Sequence, residues 1–273
     1  MKIKILGTCA AEGWPALFCN CPACRKAGQL GVKNLRTRCS IQIDDLLKVD
    51  LPPDSLIHAH KYNLKMHELK YLLITHSHAD HLSPGEIEYI IHPYAVPPVI
   101  ENLKVLGNSE CIAIMKKAME SPLSDFEGLM NEVRPFETLS LPPYSVTTLK
   151  ANHRPDQFPL NYIIEKDGKS LLYTCDTGFY EEETWEFLKD RRVDMVISEC
   201  TEGPNRSRGQ YHMGFPDVLE FREKADKISL SDSDTQWILT HFSHGGGLLH
   251  DELVSLMEPE GFKVAWDGLE IDL

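Results

Sequence analysis

A chain of 273 residues has the length of one large or two small domains, with enough residues for a sizeable core and no need of disulfide staples. Hydrophobic residues at 42% and charged residues at 25% are ordinary globular values, which exclude wholesale disorder and a fibrous repeat. With 41 acidic against 28 basic residues the net charge is -13, which argues against a broad electrostatic grip on large nucleic acids or an anionic membrane.

The start MKIKILGTCAAEGWP has only a short apolar run before Glu12 and Pro15, and no later stretch has the length of a span, so neither signal peptide nor membrane segment is expected. Residues 3–6 (IKIL) read as a buried strand, followed by a loop rich in Gly, Pro and Cys and an amphipathic stretch over 22–30. Strand-like pieces recur at 40–43, 46–50, 71–75, 97–101, 144–150, 160–166, 170–176, 193–198, 236–240 and 262–266. Helical patterns lie between them at 54–63, 84–91, 110–120, 181–190, 215–226 and 248–257. The Asp167-Gly168-Lys169 turn joins two of the strands as a hairpin, so the sheets should be mixed. Nothing marks a flexible linker, and the chain reads as a single α/β domain over 1–273, with two similar halves meeting near 150.

Three of the eight cysteines crowd at Cys19, Cys21 and Cys24, while Cys9, Cys39, Cys111, Cys175 and Cys200 are scattered. That distribution suits metal binding in a reducing cytoplasm better than a disulfide framework. The strongest chemical signal is Thr75-His76-Ser77-His78-Ala79-Asp80-His81, directly after an apolar strand. In a strand His76 and His78 share one side, and the following turn can bring Asp80 and His81 round to a second ion. Imidazole and carboxylate suit Zn²⁺, Mn²⁺ or Fe²⁺ alike. His153, Asp176 and His241 each follow a strand-like segment as His76 does, and a carboxylate such as Asp176 can bridge two cations.

The set HSHADH, His153, Asp176 in CDTG and His241 resembles the metallo-β-lactamase superfamily, in that family's order along the chain. The resemblance implies an αββα sandwich of two mixed sheets flanked by helices. It also implies that His76, His78 and His153 bind one ion, that Asp80, His81 and His241 bind another, and that Asp176 bridges them. Cys19, Cys21 and Cys24 with His244, three positions beyond His241, make a closed Cys₃His set suited to one structural zinc that pins the N-terminal loop beside a ligand.

Within the superfamily, the start Gly7-Thr8-Cys9-Ala10-Ala11-Glu12-Gly13-Trp14-Pro15, the CxCxxC loop and the His241/His244 pair look like the cyclic phosphodiesterases of phosphonate breakdown. That likeness implies hydrolysis of a small phosphodiester by a hydroxide held between two divalent ions, with Asp80 also orienting the nucleophile. His212 stands where related phosphodiesterases keep a histidine that is not a ligand, which implies a general acid for the leaving oxygen. Arg206 and Arg208 just upstream are candidates for clamping phosphate. Asp50 is a candidate for orienting a ligand histidine, although Leu51-Pro52-Pro53 replaces the small residue and glycine that usually follow it. His58, His60, His67, His92 and His250 read as surface residues, Asp44-Asp45 as a turn, and Glu181-Glu182-Glu183 as favourable charge at a helix start. A thioester or lactam hydrolase shares the same ligands, as does a non-hydrolytic metal-binding or cofactor-assembly protein. Processing of tRNA ends fits the charge poorly. The expected partner is therefore a small molecule, with a homodimer allowed for.

Overall fold

A computed structural model describes residues 1–99, 102–126, 128–154, 157–207 and 210–273. The short apolar runs become the strands of two seven-stranded sheets. The first runs in the order β14 (Glu270–Asp272), β1 (Lys2–Gly7), β2 (Ser40–Ile43), β3 (Leu47–Val49), β4 (Tyr71–Leu73), β5 (Lys104–Gly107) and β6 (Met130–Glu132). The second runs β13 (Phe262–Val264), β12 (Gln236–Thr240), β11 (Met195–Glu199), β10 (Lys169–Thr174), β9 (Leu160–Lys166), β8 (Tyr144–Lys150) and β7 (Thr138–Leu141). Both sheets are mixed: β3 to β6 and β10 to β13 are parallel, and the remaining pairs antiparallel. The β9–β10 hairpin turns through Asp167 and Gly168, whose φ angles of 53° and 73° suit the twist of a tight hairpin.

Burial makes this a four-layer αββα sandwich. The facing sides of the sheets mesh Ile5, Ile41, Val49 and Leu73 with Val146, Tyr162, Tyr173 and Ile197. Each such aliphatic side chain taken from water stabilises by about 1.5–3 kcal/mol. On the outer side of the first sheet, Ile112 and Met115 of α3 (Ser109–Ala118) cover Leu72, Ile74 and Val105. Outside the second sheet, α4 (Glu182–Leu188), α5 (Phe215–Lys227) and α6 (His250–Met257) set Trp185, Phe221 and Leu253 over Leu172, Val196 and Leu239. Two further helices are α1 (Pro22–Leu30) and α2 (Ser55–Tyr62). No helix among the described residues is long and apolar enough to cross a membrane.

Several expectations need correction. The strand expected at 97–101 is not one: residues 97–99 lie outside any strand, residues 100–101 are outside the described set, and the strand is β5 at Lys104–Gly107. Pro97 and Pro98 have no amide hydrogen to give a ladder, so they cannot sit in the middle of a sheet. The helix expected at 84–91 winds as a 3₁₀ helix over Pro84–Ile90, where Gly85 in the first turn lowers α-helical propensity. His58 and His250 are buried rather than at the surface, because each satisfies a partner inside: His58 Nε2 lies 2.7 Å from Thr37 Oγ1, and His250 Nδ1 lies 3.2 Å from Arg36 Nη2. Burial, helped by neighbouring cations, pushes His58 down to about 3 and His250 down to about 4, so both rings are neutral. His60, His67 and His92 are exposed, as expected.

One buried hydrogen bond ties the sheets together where the site begins: Tyr162 Oη on β9 donates to the carbonyl of Ile74, 2.7 Å away and two residues before His76. Tyr162→Phe leaves that carbonyl unsatisfied in the core and should lower the unfolding free energy by about 1–3 kcal/mol in denaturant titration.

Candidate metal centre

The parallel strands of both sheets end along one edge, and the chemistry-bearing residues stand at those ends. Asp50 follows β3, His76 follows β4, Asp176 follows β10, Glu199 closes β11 and His241 follows β12, while His153 lies three residues beyond β8. Asp50, Asp176 and His241 adopt left-handed φ angles of 64°, 53° and 57°, uncommon for residues with a Cβ. A reversal at that point turns the side chain off the strand and into the crevice between the sheets.

Two clusters form there around one carboxylate. In the first, His78 Nδ1 lies 2.9 Å from His76 Nε2 and 3.1 Å from His153 Nε2, and Asp176 Oδ2 lies 3.4 Å from His76 Nε2 and 3.6 Å from His153 Nε2. In the second, His81 Nε2 lies 3.2 Å from Asp80 Oδ2 and 3.3 Å from Asp176 Oδ2, and His241 Nε2 lies 2.7 Å from Asp176 Oδ1 and 3.9 Å from Asp80 Oδ2. A tetrahedral divalent ion about 2.0–2.1 Å from each donor would hold its donors about 3.3 Å apart, the middle of the 2.7–3.9 Å range found. His81 Nε2, His241 Nε2 and Asp176 Oδ1 are buried polar atoms without a properly directed hydrogen bond among the described residues. A cation would satisfy all three, so the donor set fits two divalent ions.

The far nitrogens fix each ring. Asp50 Oδ2 lies 2.7 Å from His81 Nδ1, Thr75 Oγ1 3.0 Å from His76 Nδ1, Thr201 Oγ1 2.8 Å from His241 Nδ1, and the Tyr211 carbonyl 2.9 Å from His153 Nδ1. Such outer contacts set tautomer and ring angle for metal binding. Asp50 is wholly buried and also accepts from Thr75 N and Oγ1, at 2.8 and 2.9 Å. Arg154 Nη1, at 3.4 Å from His78 Nε2, brings a cation to the rim.

His212 lies beside these clusters, its ring 4.8 Å from that of His153 and stacked 5.8 Å from that of His241. Its Nδ1 faces the buried Glu199 carboxylate at 3.1 Å, and that carboxylate also accepts from Thr177 N at 2.6 Å, Thr201 Oγ1 at 2.5 Å and Met213 N at 3.1 Å. Burial opposes charge on His212, but Glu199 outweighs it and pushes the ring up to about 9. Arg206 is exposed, its guanidinium 2.8 Å from Glu220 and 3.5 Å from Asp217, so α5 rather than the ligand clusters engages its charge. Arg208 lies outside the described residues.

The cysteine loop meets the chain beyond β12. Cys19, Cys21, Cys24 and His244 bring one ligand atom each within 4.8 Å of one another, with His244 Nδ1 3.6 Å from Cys21 Sγ and 3.9 Å from Cys19 Sγ. The Cys24 amide donates to Cys21 Sγ and lowers its thiol to about 6, helped by His244, while burial pushes Cys24 up to about 11.

Comparison with known proteins decides the family. Residues 52–242 match the family described as the beta-lactamase superfamily domain. The chain belongs to the metallo-β-lactamase superfamily. The matched segment holds all seven candidate ligand residues and His212, while Cys19, Cys21, Cys24 and His244 fall outside it. Among solved structures the fold is shared with a new diphosphatase from the PhnP family, at 21% identity and TM-score 0.76, covering 100% of this chain and 97% of that one. It is shared also with Zn(2+)-bound PqqB from Methylobacterium extorquens, at 18% identity, TM-score 0.75 and full coverage of both chains. Human tRNase Z, short form, is similar at 17% identity and TM-score 0.66, covering 100% of this chain and 99% of its own. No curated protein matches.

Glu199, Thr75, Thr201 and Arg154 were not singled out by sequence. Glu199 carries the same strand-end signal as His76 and Asp176, and could have been found by it. Burial disfavours charge on His81 and His241, but Asp176, Asp80 and, for His81, Asp50 outweigh it and hold both rings well above their ordinary range. A ring that carries a proton on the nitrogen facing its cluster must lose it to bind an ion. Calorimetry in buffers of different ionisation enthalpy should register proton release on Mn²⁺ uptake, with affinity falling as pH is lowered.

Proposed function

We propose that the protein is a metal-dependent phosphodiesterase acting on a small, cyclic or open diester. The carrying observation is the pairing of His212 with Glu199 beside two ligand clusters that share Asp176. Two divalent ions, Zn²⁺ or Mn²⁺ by donor chemistry, supply an activated water and neutralise charge developing on the phosphoryl oxygens. The chain's own residues do the rest. His76, His78 and His153 would hold one ion and Asp80, His81 and His241 the other, with Asp176 common to both, and the buried Asp80 would also orient the attacking water. Glu199 keeps a proton on His212, which faces the crevice and passes that proton to the leaving alkoxide.

Cys19, Cys21, Cys24 and His244 form a closed thiolate-rich set suited to structural zinc. The net charge of -13 supports a small substrate over a large nucleic acid. Eight free thiols support a reducing, cytoplasmic setting.

A chromogenic phosphodiester, assayed with Mn²⁺-loaded and chelated protein beside a phosphomonoester and a thioester, tests the reading. Turnover confined to the diester and lost on chelation is expected. Preference for the thioester, or no turnover with both ions bound, overturns it. His76→Ala and Asp176→Ala should abolish turnover while the cysteine-site zinc, read by elemental analysis, stays bound. His212→Asn should lower kcat by about 10²–10⁴-fold with KM little changed. Glu199→Gln removes the charge that holds the His212 proton, so the alkaline limb of the rate profile should move to lower pH.

A further inference from the structure

Lys48 is a wholly buried lysine on β3, two residues before Asp50. Its flanking residues Leu47 and Val49 belong to the core between the sheets, so by alternation Lys48 points the other way, beside Gln42 of β2 and Leu72 of β4 in register. An ammonium in such a place is costly unless its protons are all usefully spent.

Burial pushes the Lys48 amine down to about 7, and two of its donors have partners, the Asp50 carbonyl and the Ser40 hydroxyl. Lys48 Nζ donates to the Asp50 carbonyl and, at 2.5 Å, to Ser40 Oγ. Ser40 Oγ lies 2.7 Å from the Val49 carbonyl and 3.2 Å from the Asp50 carbonyl. The Val49 carbonyl belongs to the peptide plane before the Asp50 Cα and the Asp50 carbonyl to the plane after it. Holding both planes fixes φ and ψ of Asp50, here a left-handed φ of 64° in a residue with a Cβ, followed by Leu51 and Pro52 rather than a glycine. That conformation aims the Asp50 carboxylate at Thr75 N, Thr75 Oγ1 and His81 Nδ1.

We infer that Lys48 is a positioning residue for the Asp80, His81 and His241 cluster, clamping the strand-end turn from which Asp50 orients His81. The inference rests on the reading of that cluster as an ion site. Among the described residues the Asp50 carboxylate bonds to Thr75 and His81 and not to His76, His78 or His153, although Thr75 touches both Asp50 and His76. Lys48 should therefore matter selectively for one of the two ions.

Lys48→Met keeps an unbranched side chain one atom shorter and removes its donors. Mn²⁺ is the probe, since thiolates disfavour it and the cysteine cluster stays out of the titration. Calorimetric titration of the full chain should show two uptake steps, and His241→Ala identifies the one belonging to its cluster. In Lys48→Met that step should weaken by about tenfold or more, with the other unmoved. Proton NMR of the metal-free protein gives a reading independent of loading. The His81 Nδ1 proton, shielded and held by Asp50, should resonate far downfield in the wild type, and shift upfield or exchange away in the variant. Should Lys48→Met fold poorly, Ser40→Ala, which opens the same clamp without adding bulk, should weaken the same step alone. Equal weakening of both steps, an unchanged step or an unmoved His81 proton overturns the role of Lys48 while leaving the metal centre standing. A wild-type protein without an uptake step sensitive to His241→Ala overturns the metal centre, and the inference with it.

Discussion

One carboxylate, that of Asp176, constrains the rest of the molecule. Its two oxygens reach His76, His81, His153 and His241 at 2.7–3.6 Å. These four imidazoles come from both sheets: His76 and His81 from the chain leaving β4, and His153 and His241 from the chain beyond β8 and β12. A shared ligand of this kind tolerates little sliding of one sheet over the other. The interlocked core between the sheets and the Tyr162 bond to the Ile74 carbonyl supply that rigidity within a few ångströms of the site.

Orientation is built outward from that carboxylate. Three ligand rings are held at Nδ1 by a hydroxyl or a carbonyl and one by a carboxylate, so each offers Nε2 inward, while His78 alone turns Nδ1 to the cluster. Three residues in left-handed conformations make the turns that allow this, each at a cost of about 1–2 kcal/mol for a residue with a Cβ. The cost falls at the ends of strands whose ladder bonds over-determine the backbone, where strain of this kind can persist.

The two kinds of ligand cluster divide the chemistry. Oxygen and imidazole donors gather between the sheets, beside His212, whereas three sulfurs and one imidazole bring the N-terminal loop against the chain after β12. Because His241 and His244 lie on the same short segment, the cysteine cluster stands beside the exit of β12, next to the residue that joins the Asp176 cluster.

Much of this was legible in the sequence. Short apolar runs bounded by turn residues marked β1 to β4 and β8 to β13 but not β5, β6, β7 or β14, and the density of HSHADH, the CxCxxC loop and the isolated His or Asp at strand ends marked the ligand candidates, because side-chain type and period are local properties. What local pattern could not show were contacts made across the sheets. Pro97 and Pro98 looked apolar enough for a strand yet lack donors; His58 and His250 looked polar enough for the surface yet meet Thr37 and Arg36 inside. Glu199 gained meaning only when the fold set His212 against it, 13 residues along the chain but 3.1 Å away. Lys48 lies within the strand pattern at 46–50, and only packing sealed it behind Asp50. The sequence by itself determined which atoms were available to bind ions and carry protons; the tertiary structure alone decided which of them meet, since burial and distance between remote segments are set by how the two sheets pack.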